Sequence, residues 1–165
     1  MTALGYLRVE DRLPAQATAP GGVLDPALLA GTWYATDHEA SGVVRLELTP
    51  HDGTLSVRAF GANDGADGVG SAGSADSAGT ADAFDGAHDG EDGEPYDWGE
   101  IEATSYGSSV TATDAMAFSA IYNFGFMVTV LAAYAKQGIL VLDTFNTFTD
   151  SSGRSNYFSR EFFHR

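Results

Sequence analysis

ILVLDTFNTFTDSSGRSNYFSREFFHR, residues 139–165, reads as two strands and the turn that joins them. Apolar side chains alternate through Ile139, Val141 and Phe145 and again through Phe158 and Phe162, the period of a strand with one face on a core. Between them Asp150-Ser151-Ser152-Gly153-Arg154 is a polar break with a glycine where a hairpin needs positive φ. A turn at Ser152-Gly153 predicts Phe145 opposite Arg160, Asp143 opposite Phe162 and Val141 opposite His164. One face then carries Ile139, Val141, Asp143, Phe145, Phe158, Arg160, Phe162 and His164; the other carries Leu140, Leu142, Thr144, Asn146, Phe148, Tyr157, Ser159, Glu161 and Phe163. Both are apolar enough to face inward. The larger apolar side chains of the first face make it the expected interior, with Asp143 and Arg160 as diagonal neighbours whose charges offset each other's desolvation.

Working toward the N-terminus, strand-like runs recur: FMVTVLAAYAKQ (126–137), SVTATDAMAFSAIY (109–122), YDWGEIEATSY (96–106), TLSVRAFGA (54–62), VVRLELTP (43–50) and TWYATD (32–37). Short turns at Pro50–Gly53, Gly107-Ser108, Asn123–Gly125 and Gln137-Gly138 separate several of them. A helix over 115–135 competes on alanine content, but Thr, Val, Ile and Phe through that run, with Gly125 inside it, favour strands. About eight strands in hairpin succession predict an all-β fold, an antiparallel up-and-down barrel whose closure removes exposed edges and leaves room for one small ligand. A two-sheet sandwich is the rival, disfavoured by the absence of long crossovers.

Asp25-Pro26-Ala27-Leu28-Leu29-Ala30-Gly31 has the signals of a short helical turn, and Gly31-Thr32-Trp33 follows directly. A helical turn running into Gly-x-Trp at the first strand resembles the opening of the lipocalins and related calycin barrels. The resemblance implies that Trp33 closes the barrel floor behind Gly31 and packs against an arginine of the last strand, here Arg160 or Arg165. The layout departs from that family at the loop of residues 38–42, which is short, and at the long insertion after the third strand. Only Gly31, Trp33 and a closing arginine carry over.

Residues 1–24 read as an N-terminal arm, and residues 25–165 as a single barrel domain interrupted at 62–95. That insertion is built of Gly, Ala, Ser and acidic residues, with nine acids and no Lys or Arg. It has too little apolar surface to offset its ordering entropy, which predicts a disordered acidic loop. It also accounts for much of the net charge of −15: outside it, fourteen acids stand against eight scattered bases. Such a balance argues against a nucleic-acid partner and against attachment to an anionic membrane. No signal-peptide pattern and no long apolar run is present, so the expected location is the cytoplasm. With no cysteine, thiolate chemistry is excluded. The histidines fall on different segments, so no metal is expected; no glycine-rich phosphate loop leads from a strand into a helix, so no cofactor is expected either.

The function these features support is binding of a small, largely apolar molecule in the lumen by a monomer or homodimer. Arg160, Tyr134 and Tyr157 would hold its polar end, among Phe145, Phe158 and Phe162. The alternative is a cofactor-free isomerase or cyclase, with Asp143 or Glu161 raised in pKa by burial and acting as acid or base. The insertion generates a separate prediction. Replacing Asn63 to Glu94 with a short Gly-Ser linker is expected to leave the thermal midpoint nearly unchanged, because closure entropy changes by only about 0.6 kcal/mol per doubling of loop length. A large drop in scanning calorimetry would mean that the segment packs on the barrel.

Overall fold

The computed structural model describes residues 23–63 and 93–165, so the arm up to residue 22 and the insertion from 64 to 92 lie outside the described residues. Eight antiparallel strands form a closed up-and-down barrel. In order they are β1 (Gly31–Ala35), β2 (Val43–His51), β3 (Thr54–Gly61), β4 (Tyr96–Tyr106), β5 (Ala117–Asn123), β6 (Met127–Lys136), β7 (Ile139–Phe148) and β8 (Tyr157–His164). Closure is made by β1 against β8, with Tyr34 opposite His164 and Ala35 opposite Phe163, extended by the Thr36 amide donating to the Phe162 carbonyl at 2.8 Å.

Turn chemistry sets the register of the tight hairpins. Asp52-Gly53 and Gln137-Gly138 each take positive φ at both positions, the combination whose twist matches flanking strands. The β7–β8 connection is built differently. The Asp150 carboxylate accepts from the Ser152 hydroxyl and from Arg154, both at 2.6 Å, and Asn156 Oδ1 accepts from the Phe148 amide at 3.0 Å. This ordered loop places Asp143 opposite Arg160, Phe145 opposite Phe158 and Val141 opposite Phe162. The pairing expected from a two-residue turn at Ser152-Gly153 is therefore offset by two residues. An even offset leaves every side chain on its expected face.

The stretch from Ser109 to Ala115, expected to begin a strand, instead crosses the lower end of the barrel. Asp25 bridges to Asp114 in parallel; its amide donates to Thr113 and its carbonyl accepts from Ala115, both at 2.8 Å. Residues 25–30 form a single hydrogen-bonded turn rather than a helix, with Leu29 N donating to Pro26 O at 2.9 Å and the Asp25 carboxylate accepting from Ala27 N at 3.0 Å. That turn seals the lower end. Leu29 is fully buried, and its carbonyl accepts from the Trp33 indole at 2.9 Å. The Arg165 guanidinium lies over the Trp33 ring, 4.2 Å from its centroid, and donates to the Leu28 carbonyl. Of the two closing arginines it is Arg165 that reaches the tryptophan.

Above this floor the lumen is filled. Trp33, Leu46, Leu55, Val57, Phe118, Leu131, Leu140, Leu142 and Phe163 form one buried cluster, with Ala59, Ala103, Ala120 and Ala133 where strands approach. On one wall the Tyr122 hydroxyl donates to the Gly99 carbonyl at 2.8 Å and accepts from the Ala59 amide at 3.2 Å. It thereby satisfies backbone groups beside the irregular pairing of β3 with β4. Burial pushes its pKa up to about 12. No helix among the described residues is long and apolar enough to cross a membrane.

Trp33 is only 1% exposed, and the turn, Arg165 and the lower core all meet on it. Trp33→Ala is expected to lower unfolding free energy by about 3–5 kcal/mol, the range for a buried aromatic truncated in a core. Urea titration followed by circular dichroism checks it, and a loss under about 1 kcal/mol would remove Trp33 from the floor.

Candidate functional site

The inward face of the closing hairpin is the one carrying Leu140, Leu142, Thr144, Asn146, Ser159, Glu161 and Phe163. Leu140, Leu142 and Phe163 are fully buried, whereas Phe145, Phe158 and Phe162 are 48%, 51% and 49% exposed. The expectation that the larger side chains point inward is thus corrected. An eight-stranded barrel can be filled by its own side chains or hold one small ligand, and below its mouth this one is filled. Beside Trp33, Phe118 and Phe163, the inward positions of the hairpin's lower half are the leucines Leu140 and Leu142.

The correction moves several expected site residues to the outer surface. Asp143 and Arg160 are directly opposite one another and form a bidentate pair, Nε to Oδ1 at 2.6 Å and Nη2 to Oδ2 at 2.8 Å. The guanidinium hydrogen bonds hold the Asp143 carboxyl below its ordinary range, so it stays ionised, and solvent screens an exposed pair of this kind. Phe145, Phe158, Phe162 and Tyr134 share that outer face. None of these six lines the lumen. Tyr157 sits at the barrel mouth, half-exposed, and Glu161 points inside.

A cavity of about 190 Å³ opens at the upper end, above the packed core. Its polar side comes from β7 and β8: Thr144, Asn146, Ser159, Glu161 and Tyr157. Trp98, Tyr96 and Met127 complete its wall, and the rim is Ser41 to Val43 with Gly61 and Ala62. Trp98 is held edge-on to Tyr122 and Phe124, with ring centroids 5.5 and 5.2 Å away. Rim loops are tied together by Thr149, whose hydroxyl donates to Gly125 O at 2.6 Å and whose amide donates to Phe126 O at 2.9 Å. Residues Gly61 and Tyr96, which flank the long insertion, stand on the same rim.

Most of the polar side is internally satisfied. Thr129 donates to Asn146 Oδ1 at 2.7 Å, the Asn146 amide donates to Thr144 Oγ1 at 3.3 Å, and the Thr144 and Ser159 hydroxyls share a hydrogen bond of 2.6 Å. Glu161 is the exception. Its Oε2 is buried and has no hydrogen-bond partner among the described residues. Burial raises its pKa, the Val43 amide pulls the other way, and the Asp37 charge adds to the rise. The room it occupies exists because residue 42 has no side chain: a Cβ on Gly42 would lie 2.4 Å from Glu161 Oε1. Likewise a Cβ on Gly61 would lie 2.7 Å from the Trp98 indole nitrogen. Two rim glycines therefore make space for the two side chains that most define the cavity.

Glu161, expected from sequence as a candidate acid or base, and Tyr157, expected as a ligand contact, both line this cavity. Thr144, Asn146, Ser159, Trp98, Gly42 and Gly61 were not singled out. The available signal was the polar run at Thr144, Asn146, Ser159 and Glu161 on the second hairpin face, an excess of hydrogen-bonding groups at one end of an otherwise apolar stripe. Comparison with known protein families, with curated proteins and with solved structures yields no match to this chain, so the site is read from its geometry.

Glu161 generates a pH prediction. Its folded pKa lies above its ordinary value of 4.5, so between the two the folded chain holds a proton that the unfolded chain has released, and stability falls as pH rises through that window. Glu161→Gln removes this term. The variant is expected to match the wild type near pH 4 and to gain on it as pH rises toward 7; paired urea titrations across that range check the difference. A gap that does not change with pH would mean that the carboxyl is not desolvated.

Proposed function

We propose that this barrel binds a small, largely apolar molecule bearing one hydrogen-bonding group, with that group on Glu161 and the apolar remainder against Trp98, Tyr96 and Met127. The observation that carries the reading is the unpartnered, buried Glu161 oxygen in a cavity at the barrel mouth. A buried polar atom without a partner costs about 1–3 kcal/mol, and a ligand that donates to it recovers that cost. The volume of about 190 Å³ is below the usual ~300–1,000 Å³ of drug-sized pockets, which favours ligands the size of a single ring. The barrel architecture and the buried tryptophan at its base are compatible with a calycin-like fold, in which the lumen is the binding site.

A second reading has its own support in the raised pKa of Glu161. A carboxyl held nearer to neutral can donate a proton to a bound ligand and take one back from another of its atoms, which is the acid–base step of a cofactor-free isomerase or cyclase. In this reading Tyr157 and Ser159 orient the ligand and Glu161 alone transfers protons; Asp143, ionised and outside the lumen, takes no part.

Trp98 makes the test direct, because of the two tryptophans it is the one lining the cavity. Phenol and benzyl alcohol are expected to change its fluorescence saturably, and native mass spectrometry of the purified protein is expected to show a bound small molecule. Gly42→Ala, which drives a methyl into Glu161, should weaken probe binding by roughly tenfold or more, about 1.4 kcal/mol. Absence of both a native adduct and any saturable probe signal would end the binding proposal. If a turnover assay is found, Glu161→Gln separates the readings: retained binding with lost turnover supports catalysis, and unchanged turnover refutes it.

A further inference from the structure

The outer surface of the barrel is divided. On β2 to β4 it carries a charge ladder, Glu47 opposite Arg58 and Arg58 opposite Glu100, with Arg58 also paired to Asp97. On β5 to β8 the register lines up a different set of rows. Ile121, Val130, Phe145 and Phe158 stand side by side across the strands in one row, and Tyr134, Val141 and Phe162 form another. Between the two rows lies the Asp143–Arg160 pair. Ile121, Tyr134, Ile139, Phe145, Phe158 and Phe162 are between 42% and 63% exposed. At roughly half of the ~150–250 Å² that each such side chain can bury, they present on the order of 600 Å² of apolar surface. That is the upper end of what a monomer exposes in one patch. With its polar surroundings the patch approaches the ~800 Å² per partner of a stable interface.

We propose that this face is the interface of an isologous homodimer, packed sheet to sheet about a two-fold axis that runs along the strands midway between β7 and β8. The charge pattern is what selects a second copy as the occupant. Because Asp143 and Arg160 are register partners on the two central strands, such an axis sets Asp143 of one protomer against the partner's Arg160, and Arg160 against the partner's Asp143. It also sets Phe145 against the partner's Phe158 and brings the partner's Phe162 over Val141, itself only 7% exposed within its own protomer. The patch is therefore complementary to itself in charge and in apolar content, as an isologous interface requires. A barrel facing lipid would need an apolar girdle all round, and the charge ladder on β2 to β4 does not provide one.

The experiment is sedimentation velocity on the full chain over a concentration series, with two complementary charge variants. Wild type is expected to be dimeric at low micromolar concentration. Asp143→Arg places two cations on each patch and Arg160→Asp places two anions, so each variant alone should self-associate at least tenfold more weakly, while an equimolar mixture of the two should form a heterodimer. Rescue on mixing distinguishes association from a folding defect. Phe158→Glu should be monomeric, with unchanged far-ultraviolet circular dichroism. A wild type that stays monomeric up to about 100 µM overturns the proposal, whether the face is then covered by the chain's own first residues or by another protein. A dimer that persists in Phe158→Glu overturns it as well.

Discussion

Everything in this barrel follows from how narrow its interior is. Below the mouth the lumen of the eight strands is filled by side chains, so the sizes of inward residues on neighbouring strands are coupled. Trp33 and Phe118 each need small partners around them. The alanines at 59, 103, 120 and 133 supply that space, and Leu140, Leu142 and Phe163 close the remainder. Phe145, Phe158 and Phe162, on the alternate face of the same hairpin, do not join them. They stand on the outer face, where Phe145 and Phe158 pack on one another with ring centroids 5.3 Å apart.

Filling the lower lumen also sets where the proposed ligand would sit. The floor is sealed by Leu29, Trp33 and Arg165, and the cavity that reaches the inward face lies at the upper mouth, where the inward residues turn polar. There Thr129, Asn146, Thr144 and Ser159 satisfy one another, and such a network is stable because every buried hydroxyl and amide in it finds a partner. Glu161 stands one pair lower on β8, opposite Leu142, at the boundary between this network and the apolar plug. Its unpartnered oxygen is a feature that folding alone would select against, which is the reason for placing the ligand's polar group there.

The exterior carries the complementary consequence. Polar strands β2 to β4 hold their charges in cross-strand pairs, with Asp97 brought to a pKa of about 2 by its hydrogen bonds from Arg58 and the Gly99 amide. Strands β5 to β8 present aromatics and aliphatics in register around a single ion pair. The mouth of the barrel and its apolar flank are separate surfaces, and β8 contributes to both: Glu161 and Ser159 face the cavity while Phe158, Arg160 and Phe162 face out. The proposed ligand site and the proposed association face thus draw on alternate residues of one strand.

From sequence alone came the all-β class, the barrel of eight strands, most strand boundaries and the tight turns, because strand period and turn residues such as Asp52-Gly53 and Gln137-Gly138 are local signals. Trp33 was legible for the same reason, through the turn that precedes it. The direction in which the hairpin faces point was not, since both faces of β7 and β8 are apolar and periodicity identifies two faces without saying which is inside. Nor was the length of the β7–β8 turn, which depends on side-chain bonds from Asp150 and Asn156. Those choices are made only when the barrel closes. The space left by Trp33 and Phe118 on distant strands then takes Leu140, Leu142 and Phe163 inward, brings Gly42 and Gly61 against Glu161 and Trp98, and leaves Asp143 and Arg160 outside.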